Sequence, residues 1–273
     1  IDKERCKAYK SLLMGHGLVP RGRRKPGPVT IARKLATLHH FVKWLVDNDY
    51  LDHDVMSGVK MPPKAVENAK TQKEDFSEDE LTRIFKGLGP FRTHREPVLR
   101  EWYWGMLMLA HSGCRVTEII QLLRSDVRQE AGIWYLNISD KGEGQRLKNK
   151  ASKRLVPIHS NLLKAGFLDW YAQSKDVRLF PLLFPYGAVK TTQTFSRLLK
   201  KLGIKRKELT LHCFRHTLTI KLAKARTYPP LQNRLLGHAI GKSVEERTYM
   251  AGLNLSVKEL SEALEMVKFP TIT

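Results

Sequence analysis

The sequence is poor in cysteine and has no run of apolar residues long enough to cross a membrane. Its 273 residues include three cysteines, Cys6, Cys114 and Cys213. Three widely spaced thiols form neither a disulfide framework nor a zinc-ligand pattern, and small buried side chains are the simpler interpretation. No apolar run approaches the roughly 18 residues of a membrane span, and no signal peptide opens the chain. We therefore expect a protein of the reducing cytoplasm that does not bind membranes.

Acidic residues are also scarce relative to basic ones. Lysine and arginine together number 48, aspartate and glutamate 27, and the formal net charge is +21. A charge this large favours a polyanionic partner, although solubility alone could also account for it. Neither a Walker-type phosphate loop nor a metal-ligand cluster is present in the sequence. We accordingly expect nucleic acid as the partner, association with the nucleoid, and no cofactor.

Residues 211–249 contain the side chains that are needed to bind a phosphodiester and attack it. His212 and Arg215 lie three residues apart in a segment with helical apolar spacing, so both can share one helix face. His238 follows a Leu-Leu-Gly sequence, and Tyr249 lies beyond it. An isolated His-x-x-Arg pair is more often a solvated surface pair, so this segment alone decides little.

A second cluster lies about a hundred residues upstream. Ser112-Gly113-Cys114-Arg115 places an arginine directly after a glycine break and at the start of a new apolar-periodic helix. Arginine, lysine and histidine donors can stabilise the charge that a phosphodiester gains in its transition state without a metal. A tyrosine hydroxyl has a pKa of about 10, so it needs cationic neighbours or a base to attack at neutral pH.

The motifs S-G-x-R-x-x-E-I, K-x-x-x-S-K-R-x-V-P, H-x-x-R-H-T and L-L-G-H, followed by a tyrosine, occur in that order. This series resembles the tyrosine recombinase (phage integrase) family over roughly residues 76–268. The resemblance implies that Arg115 and Arg215 hold the scissile phosphate and that Tyr249 is the nucleophile. It further implies a general acid at Lys148, an acid/base at His212, a phosphate donor at His238 and a brace for Arg115 at Glu118.

The lysine motif leaves one choice open. Asn149 occupies a position where the family often has threonine, and Lys150 lies two residues from Lys148. Either lysine could therefore be the general acid, and an exposed basic loop without a catalytic role is a further alternative. The eleven-residue interval from His238 to Tyr249 is slightly longer than in many family members.

We predict a mainly α fold with a small antiparallel β-sheet, in which a catalytic domain follows a small helical core-binding domain. The predicted boundaries are 1–65 for the helical domain, 66–75 for a linker and 76–273 for the catalytic domain, with a C-terminal helix at 256–268. Capping boxes that begin at Ser77 and Ser256 support two helix starts. Because the chain begins at Ile1 and its first domain looks incomplete, we expect a fragment that lacks an N-terminal portion.

Two basic segments are candidates for contact with the DNA backbone. One is a Pro/Gly-rich loop before the long helix of the first domain, for which a solvated linker is the alternative. The other is the lysine-rich segment 141–154, which lies between a strand predicted at 133–138 and a second predicted strand that ends at 155–158. The candidate residues are Arg21, Arg23, Arg24, Lys25, Lys150 and Lys153.

The sequence thus predicts an enzyme that breaks and rejoins DNA through a 3′-phosphotyrosyl link without metal or ATP, such as a phage or genomic-island integrase. The expected partners are double-stranded attachment sites, other copies of the chain in a tetramer joined through the C-terminal helix, and accessory DNA-bending proteins. A type IB topoisomerase would share the chemistry, and a non-catalytic DNA-binding regulator could share the fold. A regulator would not need a nucleophile.

Overall fold

The computed structural model describes residues 1–15, 25–69, 74–204, 206, 208–238 and 253–272. The chain divides into two compact units, residues 1–72 and 73–273. Helices dominate both units, and the strands form one three-stranded antiparallel sheet in the second. The predicted fold class, mainly α with a small antiparallel sheet, is confirmed.

The described residues of the first unit form three helices, α1 (Lys3–Leu13), α2 (Pro28–Asp47) and α3 (Pro63–Asn68). Helix α2 begins with Pro28 at its first position, where the missing N–H costs nothing. Its inner face buries Ile31, Leu35 and Val42 against Cys6 of α1. Helix α3 crosses the predicted domain boundary at residue 65, so the predicted linker begins inside a helix.

The second unit contains nine described helices. They are α4 (Glu78–Leu88), α5 (Pro97–Ser112), α6 (Val116–Ile120), α7 (Ser160–Lys164), α8 (Phe167–Gln173), α9 (Leu183–Lys201), α10 (His212–Lys224), α11 (Pro229–Leu236) and α12 (Val257–Glu265). The capping box at Ser77 starts α4, as the sequence predicts. Helix α5 is buried at every position from Glu101 to Ser112 and forms the centre of the core. It leads directly into the segment that carries Arg115.

The sheet contains β1 (Val127–Glu130), β2 (Ile133–Ile138) and β3 (Arg154–Pro157) in the order β1-β2-β3. Leu136 in the central strand pairs with Val127 on one side and Val156 on the other. All three side chains are buried and hold the sheet against the helical core. Residues 139–153 connect β2 to β3 and contain both candidate lysines, Lys148 and Lys150.

Helix α12 packs on its own chain. Leu260 and Leu264 lie in a buried cluster with Leu218 of α10 and with Leu235 and Leu236 of α11. The capping box at Ser256 starts the helix as predicted, whereas its end at Glu265 comes three residues before the predicted end at 268. Within the described part of the chain, no helix is both long and apolar enough to cross a membrane.

Candidate active site

Arg115 is positioned by the abrupt end of α5. Gly113 follows that helix in the left-handed conformation with φ +62°. A β-carbon there would lie 2.8 Å from side-chain carbons of Leu218 and Leu236, so any larger residue would have to displace these buried leucines in a backbone conformation that favours glycine. The chain then turns into α6, where Arg115 is the N-cap residue. The glycine in the sequence thus provides the turn that places Arg115 at the start of α6.

Glu118 holds Arg115 at two points. One carboxylate oxygen accepts the Arg115 backbone N–H at 2.9 Å, and the other accepts Arg115 Nη1 at 2.5 Å. Burial by itself would raise the pKa of Glu118, but its bonds with Arg154 and Arg115 outweigh burial and lower it. The carboxylate is thus charged at neutral pH. This geometry fits the predicted brace, whose role in catalysis stays a prediction.

Arg215 is almost completely buried in α10, with 4% of its surface exposed. Its Nη1 donates to the Gly113 carbonyl at 2.7 Å, which places the guanidinium beside the Arg115 segment. Its Nη2 is buried and has no hydrogen-bond partner among the described residues. Burial, followed by the charges of Arg154 and Arg115, lowers the pKa of Arg215 to about 10. The side chain therefore stays charged at neutral pH, and its Nη2, unpartnered in the described part of the chain, could donate to an anion.

A third arginine, Arg154 at the start of β3, was not among the candidates from the sequence. Its guanidinium is fully buried and donates to Glu118 Oε2 at 2.9 Å and to Cys114 Sγ at 3.1 Å. Strand alternation offered a signal, because Arg154 and the core residue Val156 must lie on the same face of β3. An arginine in that position needs buried partners.

The lysine motif lies in a segment that is tied to Arg115. Ser152 Oγ accepts a hydrogen bond from Arg115 Nη1 at 3.1 Å, and it donates a hydrogen bond to Asn149 Oδ1 at 2.9 Å. Asn149 also accepts the Ser152 backbone N–H at 3.1 Å. Lys148 and Lys150 flank Asn149, and both are exposed. Both lysines are thus within the anchored segment, and the choice between them stays open.

Lys153, the remaining basic candidate of this segment, forms an ion pair. Lys153 Nζ lies 2.7 Å from Asp140 Oδ1, and both side chains are partly exposed. An ion pair that is this exposed is weak, so a DNA phosphate could compete for the lysine.

The two predicted histidines lie at exposed helix ends. His212 is the first residue of α10, one turn before Arg215, and its ring centroid lies 5.3 Å from that of His216. His238 follows Gly237, which ends α11 in the left-handed conformation with φ +61°. The His238 backbone N–H donates to the Asn233 carbonyl at 3.1 Å.

Four predicted site residues, Arg21, Arg23, Arg24 and Tyr249, lie outside the described residues. Lys25 is described and exposed just before α2. Among the described residues, no group of three or more His, Cys, Asp or Glu side chains is arranged to hold a metal ion.

The described part of the site is a cationic cluster beside exposed histidines and lysines. The buried carboxylate of Glu118 binds Arg115 and Arg154, and Arg215 lies close enough for the charges of both arginines to lower its pKa, so positive charge is in excess. Fixed donors with excess positive charge can bind an anionic phosphate and stabilise further negative charge that develops on it. The arrangement thus suits transfer reactions at a phosphodiester.

Comparisons with known proteins identify a family model and relatives that this chain resembles. The model described as "Phage integrase family" matches residues 76–253. A protein named tyrosine recombinase XerD, from Listeria innocua serovar 6a, is 26% identical over 246 residues, which cover 85% of this chain and 76% of that protein.

Solved structures share the fold. The Tn1549 transposon integrase in complex with circular intermediate DNA superimposes with a TM-score of 0.63 at 18% identity and covers 98% of this chain and 85% of its own. The XerH site-specific recombinase bound to a palindromic difH substrate gives a TM-score of 0.64 at 17% identity and covers 96% of this chain and 71% of its own.

Proposed function

The chain belongs to the phage integrase family and is a tyrosine site-specific recombinase, and on that premise we propose that it cleaves and rejoins DNA through a 3′-phosphotyrosyl intermediate. The observation that carries the proposal is the pair formed by Arg115 and the buried Arg215. Arg215 Nη2 is buried without a hydrogen-bond partner among the described residues, and Glu118 holds Arg115 in the same cluster. Two forked cations in one cluster suit the two free oxygens of a phosphodiester.

The proposed reaction begins with Tyr249. Its hydroxyl oxygen attacks phosphorus, and its proton passes to His212. The bond from phosphorus to the 5′ oxygen breaks, and that oxygen takes a proton from Lys148 or Lys150. The products are a 3′-phosphotyrosyl link and a free 5′-hydroxyl. His238 donates to a phosphate oxygen during both steps.

Rejoining is the reverse reaction with another strand. A 5′-hydroxyl from the partner duplex attacks the phosphotyrosyl link, and Tyr249 leaves as its hydroxyl form. The free energy of the original phosphodiester is held in the phosphotyrosyl bond, so the cycle needs no ATP. Arg115 and Arg215 are the cationic contacts of the phosphate throughout, because both steps pass through the same charged transition state.

We propose double-stranded attachment sites as the substrate. The net charge of +21 supports a strong backbone contribution to binding. The basic loop with Arg21, Arg23, Arg24 and Lys25, together with Lys150 and Lys153, is proposed to contact backbone phosphates. Such contacts fix register and orientation, whereas sequence is read from base edges.

Exchange of two duplexes requires four strand cleavages, so we propose a homotetramer on DNA. Helix α12 is the proposed connector, with its buried residues Leu260 and Leu264 entering the corresponding surface of a neighbouring protomer in place of their own. The particle mass of the protein with and without a duplex of its attachment site tests this proposal. A species with four copies on two duplexes is expected, and a single copy per duplex at saturation would contradict it.

Trapping of the covalent intermediate tests the proposed chemistry. Nicked duplexes from the ends of the encoding element lose the fragment that carries the 5′-hydroxyl, so cleavage cannot reverse and the protein stays attached. We expect a band of protein joined to DNA on denaturing gels, absent in Tyr249→Phe and retained in the matched control Tyr228→Phe. Specific binding without a covalent band would favour a regulator. Relaxation of supercoiled plasmid that lacks an attachment site would favour a topoisomerase.

A further inference from the structure

The side chain of Arg154, at the start of β3, donates hydrogen bonds from all three of its guanidinium nitrogens inside the protein. It has no exposed surface. Nε donates to the Leu235 carbonyl at 2.8 Å, Nη1 to the Ser152 carbonyl at 2.9 Å, and Nη2 to Glu118 and Cys114. A buried guanidinium that is satisfied this completely is a fixed point in the structure.

The partners of Arg154 come from three separate parts of the chain. Glu118 and Cys114 flank Arg115, Ser152 belongs to the segment with the two candidate lysines, and Leu235 lies in the last turn of α11 before His238. Each of these parts carries one group of the proposed chemistry. A single side chain therefore connects the segments that carry the first arginine, the general acid and the second histidine.

Packing links Arg154 to the His238 turn a second time. A β-carbon at Gly237 would lie 3.0 Å from Arg154 Cδ and Nη1 and 3.2 Å from the Ala151 carbonyl. The turn that presents His238 thus rests directly on the Arg154 side chain. The glycine of the Leu-Leu-Gly-His sequence permits this close approach as well as the left-handed backbone.

We infer that Arg154 is a positioning residue, which sets the relative placement of Arg115, the Lys148–Lys150 segment and His238 without touching DNA. This inference rests on the proposed function, because it assigns a task to Arg154 in the same reaction. Its connection to Arg115 runs through Glu118, which binds both guanidiniums. Its charge also adds to the positive cluster around Arg215.

The test uses two variants of the whole chain and one control. Arg154→Lys keeps the positive charge but loses the forked guanidinium donors. Arg154→Gln loses the charge but keeps an amide donor. The test needs only one of the two variants to be folded. Arg124→Lys is the matched control, because Arg124 donates to the Tyr171 carbonyl and lies over the Tyr171 ring, in contacts that involve no residue of the proposed site. Thermal unfolding establishes which variants are folded.

Cleavage measurements separate positioning from binding. With saturating nicked duplex, we expect the cleavage rate constant of an Arg154 variant to fall about 100-fold, as for a displacement near 1 Å, while DNA affinity changes less than about threefold. A duplex with sulfur in place of the leaving 5′ oxygen needs no general acid, so the defect should shrink by about tenfold or more on that substrate. Wild-type cleavage kinetics in a folded Arg154 variant would overturn the inference.

Hydrogen–deuterium exchange provides a readout that does not depend on cleavage. We expect faster exchange in residues 149–153 and 234–238 of an Arg154 variant, and no such change in Arg124→Lys. If the wild-type protein fails to cleave DNA, the proposed function is wrong, yet this exchange pattern still decides whether Arg154 holds the segments together. Unchanged exchange in both segments would show that it does not.

Discussion

We predict that replacing His111 with phenylalanine makes the protein less sensitive to acid. His111 lies in α5 and is buried, with its ring stacked on Phe85 at 5.4 Å and 4.2 Å from the Phe269 ring, centroid to centroid. Its Nδ1 donates to the Leu107 carbonyl at 2.8 Å, and its Nε2 has no hydrogen-bond partner among the described residues. The pocket therefore suits a neutral imidazole, because no described residue would accept a hydrogen bond from a protonated Nε2.

The size of the effect follows from the pKa of His111. Burial above all, and then the charges of His159 and Lys221, lower that pKa from 6.5 to about 3, although the bond to Leu107 opposes the shift. Below pH 6.5 His111 binds a proton in the unfolded chain but not in the folded state, so the free energy of unfolding falls as the pH falls. From pH 8 to pH 5 the loss is about 2 kcal/mol, and it approaches about 5 kcal/mol near pH 3.

Urea unfolding at pH 8, 6.5 and 5 measures this loss in wild type and in His111→Phe. The phenylalanine ring keeps the stacking, and the Leu107 carbonyl is already an acceptor in the helix. We expect the two proteins to differ modestly at pH 8 and the variant to gain about 2 kcal/mol on wild type by pH 5. Every other titrating group is common to both proteins. Parallel stability profiles would refute the argument, because His111 would then protonate freely in the folded state.

Two further predictions concern the site itself. Glu118→Gln leaves Arg115 and Arg154 without their shared buried charge, so we expect a loss of about 3–5 kcal/mol in urea unfolding at pH 7. Because the folded-state pKa of Glu118 is lowered, this difference should persist down to its ordinary value of 4.5 and shrink below it; a constant difference down to pH 3 would contradict the assignment. Gly113→Ala places a β-carbon in the left-handed conformation and against Leu218, and we expect a loss of about 1–2 kcal/mol or more, measured by urea unfolding. An unchanged free energy of unfolding would show that the turn is not constrained as described.

Much of the fold could be predicted from local patterns. The nearly uniform apolar character of residues 102–109 predicts a core helix, and α5 is buried there. The capping boxes at Ser77 and Ser256 predict helix starts correctly, because capping is a local interaction. Strand β1 was not predicted, since Val127 is its one buried residue and its strand conformation depends on pairing with β2.

The site was predictable in its parts and not in its connections. Local sequence places Arg115 at a helix start and Arg215 one turn into another helix. Nothing local shows that Arg215 donates to the Gly113 carbonyl, since the two residues lie 102 positions apart. The same holds for Arg154: Ser152 is a local partner, two residues away, whereas Glu118, Cys114 and Leu235 are brought to it only by tertiary packing.

In the proposed mechanism, Tyr249 becomes joined to the 3′ phosphate of cleaved DNA. Mass spectrometry of the trapped complex, after nuclease trimming and trypsin digestion, tests it most directly. Tyr228 is the tyrosine nearest to Tyr249 in the sequence, and trypsin separates the two. Tyr249 falls in the peptide Thr248–Lys258 and Tyr228 in the peptide Thr227–Arg234. We predict a nucleotide 3′-phosphate on the first peptide, attached at Tyr249. An adduct on the second peptide, or a 5′-phosphate linkage at either tyrosine, would contradict the proposed mechanism.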